Sequence, residues 1–146
     1  MLRSLIGLLL LALSLAVPAA PSSLAACAAT SAATPVFQTG AAFPLTVTDD
    51  LGREVAIAAA AQRIVSLAPS NTEILFALGL DERVVAVDAW SDFPPAAREK
   101  PQLGDYIDPD LEEIVAMAPD VVLATAVHEA TVLPQLEDLD ITTVVL

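Results

Sequence analysis

The sequence predicts an α/β fold in which a parallel sheet follows an N-terminal β-hairpin. Four short apolar runs rich in β-branched residues lie near residues 64–67, 84–88, 120–125 and 141–146. Segments long enough for crossover connections separate these runs, so parallel strands joined by helices are the simplest arrangement. Before the first run, residues 45–57 alternate apolar and polar side chains around a turn, which is typical of a hairpin.

The hairpin is predicted from the stretch FPLTVTDDLGREVAI. Leu45 and Val47 alternate with polar residues before the turn, and Val55 and Ile57 do so after it. The turn itself is Asp-Asp-Leu-Gly, in which Gly52 can adopt a positive φ without a steric penalty.

The stretch RIVSLAPSNTEILFALGL predicts a strand, a corner and a helix. Ser70 and Glu73 fit the Ser-x-x-Glu capping box, so Ser70 is expected to be the N-cap residue. Gly79 is expected to end the helix as a C-cap glycine. The next strand, in RVVAVDAW, completes a βαβ unit.

The same order of helix and strand then repeats. DPDLEEIVAMAPD predicts a helix that begins after Asp110. Four residues at helical spacing are expected to form its buried face: Leu111, Ile114, Val115 and Ala118. DVVLAT supplies another strand, TVLPQLEDLD a helix with Pro134 in its first turn, and ITTVVL the last strand.

The serine at the first strand-to-helix corner could be a nucleophile, a phosphate-binding residue or a capping residue. The corner APSNTE has no glycine, whereas nucleophile elbows and phosphate loops need small residues there. The only histidine available as a base is His128. We therefore interpret Ser70 as a capping residue and predict neither catalysis nor a bound cofactor. An exported α/β enzyme domain is the alternative from another functional class.

The beginning of the chain predicts export. Residues 5–17 form an uncharged, largely apolar run behind Arg3, which is too short for a comfortable membrane span and typical of a signal peptide. The run is followed by Leu-Ala-Ala-Cys, which resembles the bacterial lipobox and ends on the only cysteine, Cys27. We expect Cys27 to be lipidated. An ordinary signal peptide with an incidental Cys27 is the alternative.

These features divide the chain into three parts. Residues 1–27 are predicted to be a lipoprotein-type signal peptide, and residues 28–42, which are small, polar and unpatterned, a flexible tether. Residues 43–146 are the predicted folded domain. The protein would then lie in the cell envelope, anchored by lipid at the outer face of the cytoplasmic membrane or in the periplasm.

The charge of the chain excludes one class of partner. The sequence has 19 acidic and six basic residues, for a net charge of −13 at pH 7. Binding of nucleic acid through its phosphates needs clustered lysines and arginines, so no nucleic-acid partner is expected. A basic protein surface is compatible with this charge.

Three segments resemble the signature segments of the cobalamin and ferric-siderophore substrate-binding proteins of ABC importers. They are RIVSLAPSNTEILFALGL, VVAVDAWSDFPPAA and LEEIVAMAPDVVLA, and TVTDDLGREVAI is similar to the hairpin that often opens such proteins. The resemblance covers nearly all of residues 45–146. It implies that residues 43–146 are the N-terminal, Rossmann-like lobe of a two-lobed class III periplasmic-binding-protein fold, ending before the helix that joins the lobes.

The resemblance also implies a function and a ligand site. Such proteins capture cobalamin or a related iron chelate and deliver it to a membrane permease with its ATPase. In the cobalamin-binding branch, aromatic residues at the places of Trp90 and Tyr106 line the cleft, and the corner Pro69, Ser70 and Asn71 forms a wall of it. Haem capture, with Tyr106 as axial ligand, is the alternative within the superfamily. A free-standing adhesion or sensor domain is an alternative outside it.

Interpretations of these residues that involve no ligand or partner remain open. Trp90 could pack over the prolines of its own loop. Glu112 is predicted to be exposed, which would usually mean simple solvation, but the resemblance implies that it docks onto arginines of the permease.

No metal site is predicted. The carboxylates Asp105, Asp108 and Asp110 lack the spacing and central glycine of an EF-hand loop. A lone histidine, His128, is interpreted as a residue at the start of a helix or on the surface.

Lipidation of Cys27 can be tested by metabolic labelling. A clickable fatty acid fed to cells should label the wild-type protein and not the Cys27→Ser variant, because serine lacks the thiol that receives the lipid. In-gel fluorescence of the immunoprecipitated proteins measures the difference. Equal labelling of both proteins would show that Cys27 is not the anchor.

Overall fold

The computed structural model describes residues 42–146. The predicted signal peptide, Cys27 and nearly all of the predicted tether lie outside the described residues. Within them, the chain forms a two-stranded antiparallel hairpin followed by a four-stranded parallel sheet with helical connections. No helix in this range is long and apolar enough to cross a membrane.

The N-terminal hairpin is confirmed. Strand β1 (Leu45–Thr48) pairs with β2 (Glu54–Ile57), so that Leu45 lies opposite Ile57 and Val47 opposite Val55. Gly52 in the turn has a φ of 75°, the left-handed conformation that its lack of a side chain permits.

The parallel sheet is also confirmed. It consists of β3 (Ile64–Ser66), β4 (Val84–Val87), β5 (Val121–Ala124) and β6 (Thr143–Val145), in the order β4-β3-β5-β6. Because all four strands are parallel, their carboxyl ends lie at one edge of the sheet. The corners that follow β3, β4 and β5 therefore share that edge.

Helices cover both faces of the sheet. Alternate residues of a strand point to opposite faces, and in β3 Ile64 belongs to one apolar cluster and Val65 to the other. Leu75 of α1 (Pro69–Ala77) packs with Ile64. The cluster around Val65 contains buried residues of α2 (Leu111–Ala116) and of α3 (Val132–Asp138): Ile114, Val132, Leu133 and Leu136.

The start of α1 differs from the prediction. Ala68 is the N-cap residue, with extended backbone angles, and Pro69 is the first helical residue. Proline suits this position because its φ is already helical and its missing N–H would be unbonded there anyway. Ser70 is consequently inside the helix and makes no capping hydrogen bond, so the predicted capping box with Glu73 is wrong.

The end of α1 is as predicted. Gly79 has a φ of 70°. Its backbone N–H donates to Phe76 O at 3.0 Å, and that of Leu80 donates to Leu75 O at 2.9 Å. These are the two hydrogen bonds of a Schellman motif, which satisfies carbonyl groups at the end of a helix.

Helix α2 begins as predicted but is shorter than expected. Asp110 caps it by accepting a hydrogen bond from the Glu113 N–H at 3.1 Å. The predicted buried face is only partly correct, because Val115 is exposed and Ala118 lies beyond the helix with a φ of 43°. The helix ends after Ala116, and the core contacts come from Ile114, Leu111 and Met117. Pro134 lies in the first turn of α3, as predicted.

An ion pair fastens the hairpin turn to the edge strand β6. The side chain of Asp49 is buried, and its carboxylate accepts hydrogen bonds from Arg53 Nε at 2.9 Å and Nη2 at 2.7 Å. Arg53 Nη2 also donates to Thr143 O at 3.2 Å, and the Asp50 N–H donates to Val145 O at 3.0 Å. Burial of Asp49 opposes its ionisation, but the hydrogen bonds and the charge of Arg53 outweigh this, so the pKa of Asp49 lies below its usual value.

We expect Arg53→Ala to lower the free energy of unfolding by roughly 1–3 kcal/mol at pH 7, since it leaves a buried carboxylate without its partner. The exposed ion pair between Arg98 and Asp92 supplies a control, and Arg98→Ala should cost less than about 1 kcal/mol. Urea denaturation followed by circular dichroism measures both values.

The pH dependence has a definite sign. A carboxyl group whose pKa is lower in the folded state stabilises the fold above its unfolded pKa of about 3.9, and this contribution is lost as the pH falls through the folded pKa. Arg53→Ala should therefore lose less stability than the wild type on acidification below about pH 4. An equal loss in both proteins would contradict the role of this ion pair.

Candidate ligand-binding site

The connections between strands lead in opposite directions on the two sides of the boundary between β3 and β5. From β3 the chain passes through α1 to β4, and from β5 it passes through α3 to β6 on the other side. The loops after β3 and β5 therefore diverge between these two neighbouring strands. Such switch points at the carboxyl edge of a parallel sheet are the usual ligand sites of open α/β folds.

Asn71 connects the two strands at this switch point. It is buried in the first turn of α1, and its side-chain Nδ2 donates to Ala124 O at the end of β5 over 3.1 Å. The resemblance implies that Asn71 lines the ligand cleft, whereas in the structure its side chain makes a hydrogen bond that holds the β3–α1 corner against β5. Ser70, the next residue back, is exposed at the same corner. Ligand contact by Ser70 or Asn71 stays a prediction.

An open apolar depression of about 370 Å³ lies at this edge. Its lining consists of Pro69, Trp90, Asp105, Tyr106 and Ile107. Three of these residues, Pro69, Trp90 and Tyr106, were predicted from the sequence to contact a ligand, and the fold brings them together from three separate segments. Ile107 was not singled out, because one aliphatic residue in a loop carries no sequence signal.

Trp90 is 63% exposed, yet a hydrogen bond at the edge of its indole ring fixes the orientation of the ring. The indole N–H donates to Asp105 Oδ2 at 3.2 Å, while Asp105 Oδ1 accepts from the Ile107 N–H at 2.9 Å. The bond from Ile107, and after it the bond from Trp90, holds the pKa of Asp105 below its usual value. The ring is thus oriented by a carboxylate and keeps an apolar surface available to solvent.

Tyr106 is held from behind by His128. The Tyr106 hydroxyl lies 3.2 Å from the Thr125 hydroxyl. The rings of Tyr106 and His128 meet edge to face, with their centroids 5.6 Å apart. His128 Nε2 lies 2.6 Å from Tyr106 O, and Nδ1 accepts from the Thr125 N–H at 3.1 Å. His128 is the last residue of a short 3-10 helix (Ala126–His128) and is fully buried, so its interpretation as a surface residue is wrong.

A chain of buried polar groups, which the sequence did not predict, supports the Trp90 loop. The buried carboxylate of Asp88 accepts from the Trp90 N–H at 2.8 Å and from the Ser91 hydroxyl. The Ser91 hydroxyl lies 2.8 Å from that of Thr72, which donates to Ser66 Oγ at 2.8 Å. These bonds tie the loop after β4 to the corner after β3. The available signal was a set of polar residues directly after apolar strands.

Glu112 lies elsewhere on the lobe. It is exposed on α2, as predicted, beside a second open depression that shares no lining residue with the first. Among residues 42–146, no three histidine, cysteine or acidic side chains are placed to hold a metal ion together.

Comparison with known proteins identifies the family. Residues 64–146 match the periplasmic binding protein family. The chain belongs to this family. This confirms the resemblance found in the sequence and, with the parallel sheet, the assignment to a lobe of such a protein.

Two curated relatives are similar to this chain in sequence. The vitamin B12-binding protein of Pectobacterium carotovorum is 46% identical over 63 residues, which is 43% of this chain and 23% of the relative. An ABC transporter substrate-binding lipoprotein of Bacillus subtilis, YvrC, is 37% identical over 106 residues, 68% of this chain and 32% of the relative. The chain thus spans no more than about a third of these relatives.

Two solved structures are similar in fold and sequence. The periplasmic vitamin B12-binding protein BtuF of Vibrio cholerae has 37% identity and a TM-score of 0.51, covering 57% of this chain and 33% of that one. A periplasmic heme-binding protein from Pseudomonas aeruginosa has 32% identity and a TM-score of 0.57, covering 60% and 32%.

The bond between Trp90 and Asp105 yields a testable prediction. Trp90 is the only tryptophan, so intrinsic indole fluorescence reports on the surroundings of this residue, which include its hydrogen bond to Asp105. Because the pKa of Asp105 is lowered, the wild-type fluorescence should stay constant on acidification until below about pH 3.9, the usual value for aspartate.

Two variants check this assignment while circular dichroism confirms that the protein remains folded. Asp105→Ala should change the emission at pH 7 and abolish the acid transition. The exposed Asp108 is the matched control, and Asp108→Ala should leave both unchanged. A transition that persists in Asp105→Ala would contradict the assignment.

Proposed function

We propose that this chain forms the N-terminal lobe of a substrate-binding protein that captures cobalamin and delivers it to an ABC permease. The observation that carries the proposal is the convergence of Pro69, Trp90 and Tyr106 on one apolar depression at the switch point of the sheet. The similarity to vitamin B12-binding proteins, in sequence and in fold, supports the same ligand.

The physical properties of the depression suit a large planar ligand. An exposed indole plane buries much apolar area on a flat macrocycle, and it loses little conformational freedom because Asp105 already orients it. The depression is open, so a single lobe would cover only one side of such a ligand. A second lobe in the full-length protein would cover the other side.

Haem is the second candidate, supported by the similarity to a heme-binding structure. Iron coordination would need a free tyrosine hydroxyl or imidazole nitrogen. Here the Tyr106 hydroxyl contacts Thr125, and both ring nitrogens of His128 are engaged by backbone groups. These contacts favour cobalamin, which requires no iron ligand from this lobe.

We also propose the cellular setting. Members of this family are periplasmic binding proteins, which places the folded lobe outside the cytoplasm. A lipid on Cys27 would keep it at the membrane next to the permease and its ATPase, in keeping with the lipoprotein relative of Bacillus subtilis. The protein would bind and release its ligand without chemical change, and lobe closure would signal occupancy to the permease.

The identity of the ligand is tested by isothermal titration calorimetry of the full-length protein with cobalamin, a ferric hydroxamate and haem. We expect cobalamin to bind most tightly. Trp90→Ala should weaken this binding by roughly 1–3 kcal/mol, the range for one buried aromatic contact. Phe93 is equally exposed in the same loop but does not line the depression, so Phe93→Ala serves as the control and should bind normally. Failure to bind any of the three would refute the proposal, and preferential binding of haem would favour the second candidate.

Docking by Glu112 is tested separately. Glu112→Ala should leave cobalamin binding unchanged and weaken association with the permease, and the difference from wild type should shrink as salt rises, because exposed charges are screened. A loss of ligand binding in this variant would contradict the assignment of Glu112 to a docking surface.

A further inference from the structure

The second open depression, of about 380 Å³, is a groove between α2 and α3. Leu111 and Val115 of α2 line one wall, and Gln135 of α3 and Leu139, the C-cap residue of α3, line the other. Each pair is spaced by four residues, so each forms a ridge along one side of its helix. Glu112 completes the lining, and we call this feature the α2–α3 groove.

The groove leaves apolar side chains in water. Val115 is 45% exposed and Leu139 51% exposed, although both helices also bury residues in the core. Val115 faces outward because Ile114 and Met117 make the core contacts of α2. Neighbouring exposed aliphatic residues on two walls of one groove are typical of a surface that another molecule covers.

The charge around the groove restricts what can cover it. Residues 101–146, which include both helices, contain ten acidic residues and no lysine or arginine. Two arginines from outside this range contact the helices: Arg53 pairs with Glu137 of α3, and Arg63 donates to the carbonyl groups of Met117 and Ala118 at the end of α2, so the net charge here is still negative. Glu112 and Glu113 on α2 and Asp138 on α3 are exposed. A cationic surface would be attracted here, whereas a second copy of this chain or an anionic lipid surface would be repelled.

We infer that the α2–α3 groove receives an apolar side chain from a basic docking segment of the permease, with lysines or arginines beside that side chain meeting Glu112 and Glu113. This inference rests on the proposed function and adds an apolar contact to the ion pair expected of Glu112. The groove and the ligand depression share no residue, so docking and ligand binding use separate surfaces.

The experiment compares two double variants of the protein as its gene encodes it. Val115→Ser with Leu139→Ser removes the apolar walls of the groove. Ile74→Ser with Leu78→Ser is the matched control, because these residues form an exposed apolar pair of the same spacing at the C-terminal end of α1, where Leu78 is the C-cap residue; they are 54% and 62% exposed. Association with the cognate permease and ATPase in lipid nanodiscs is measured by biolayer interferometry, and cobalamin binding by calorimetry.

The groove variant should bind the nanodiscs at least about tenfold more weakly than wild type, as for truncation of a central interface residue. The α1 variant should bind within about twofold of wild type, because substitutions outside an interface core are nearly neutral. Both variants should bind cobalamin normally.

Three results would overturn the inference in different ways. If wild type and groove variant bind the permease equally, the groove is not a docking site, although the proposed function stands. If wild type does not bind the permease, delivery itself is refuted. If wild type self-associates and the groove variant does not, the groove is covered by a second copy of the chain.

Discussion

The parallel pairing of β3 with β5 is the constraint on which the rest of the lobe depends. It places the ends of two strands side by side while their connections lead to opposite sides of the sheet. The Asn71 side chain then bonds to Ala124 O across the gap, which fixes the corner that carries Pro69. A buried amide without that partner would cost roughly 1–3 kcal/mol, so this bond couples the integrity of the core to the shape of the ligand edge.

The aromatic lining is positioned by polar groups beneath it. Asp88, itself fully buried, orients the Trp90 loop, and His128 supports Tyr106 from the interior. Polar networks in a core are costly unless every member is bonded, and among the described residues no buried side-chain nitrogen or oxygen lacks a partner. The depression is therefore a preformed surface whose aromatic planes are held in place by the fold.

Much of this fold could be predicted because its signals are local. Short apolar runs gave the strands, and Gly52 and Gly79 marked turns that need a positive φ. The errors arose where neighbours in space decide the outcome. The Ser-x-x-Glu pattern predicts Ser70 as the cap, but Pro69 itself begins the helix and Ala68 becomes the N-cap residue. Helical spacing predicts Val115 in the core, but Ile114 and Met117 make the core contacts of α2 and leave Val115 exposed. The bonds of Asn71 could not be foreseen, because its partner lies 53 residues away.

The central claim, that Trp90 and Tyr106 form the ligand surface of this lobe, is tested most directly by nuclear magnetic resonance. A protein with one tryptophan gives a single indole N–H signal, which belongs to Trp90. On titration with cobalamin, this signal and the backbone amide signals of Tyr106 and Ile107 should shift together until binding saturates. The amide signals of the residues that line the α2–α3 groove should not shift. Saturating shifts at the groove, with the Trp90 indole signal unmoved, would contradict the account.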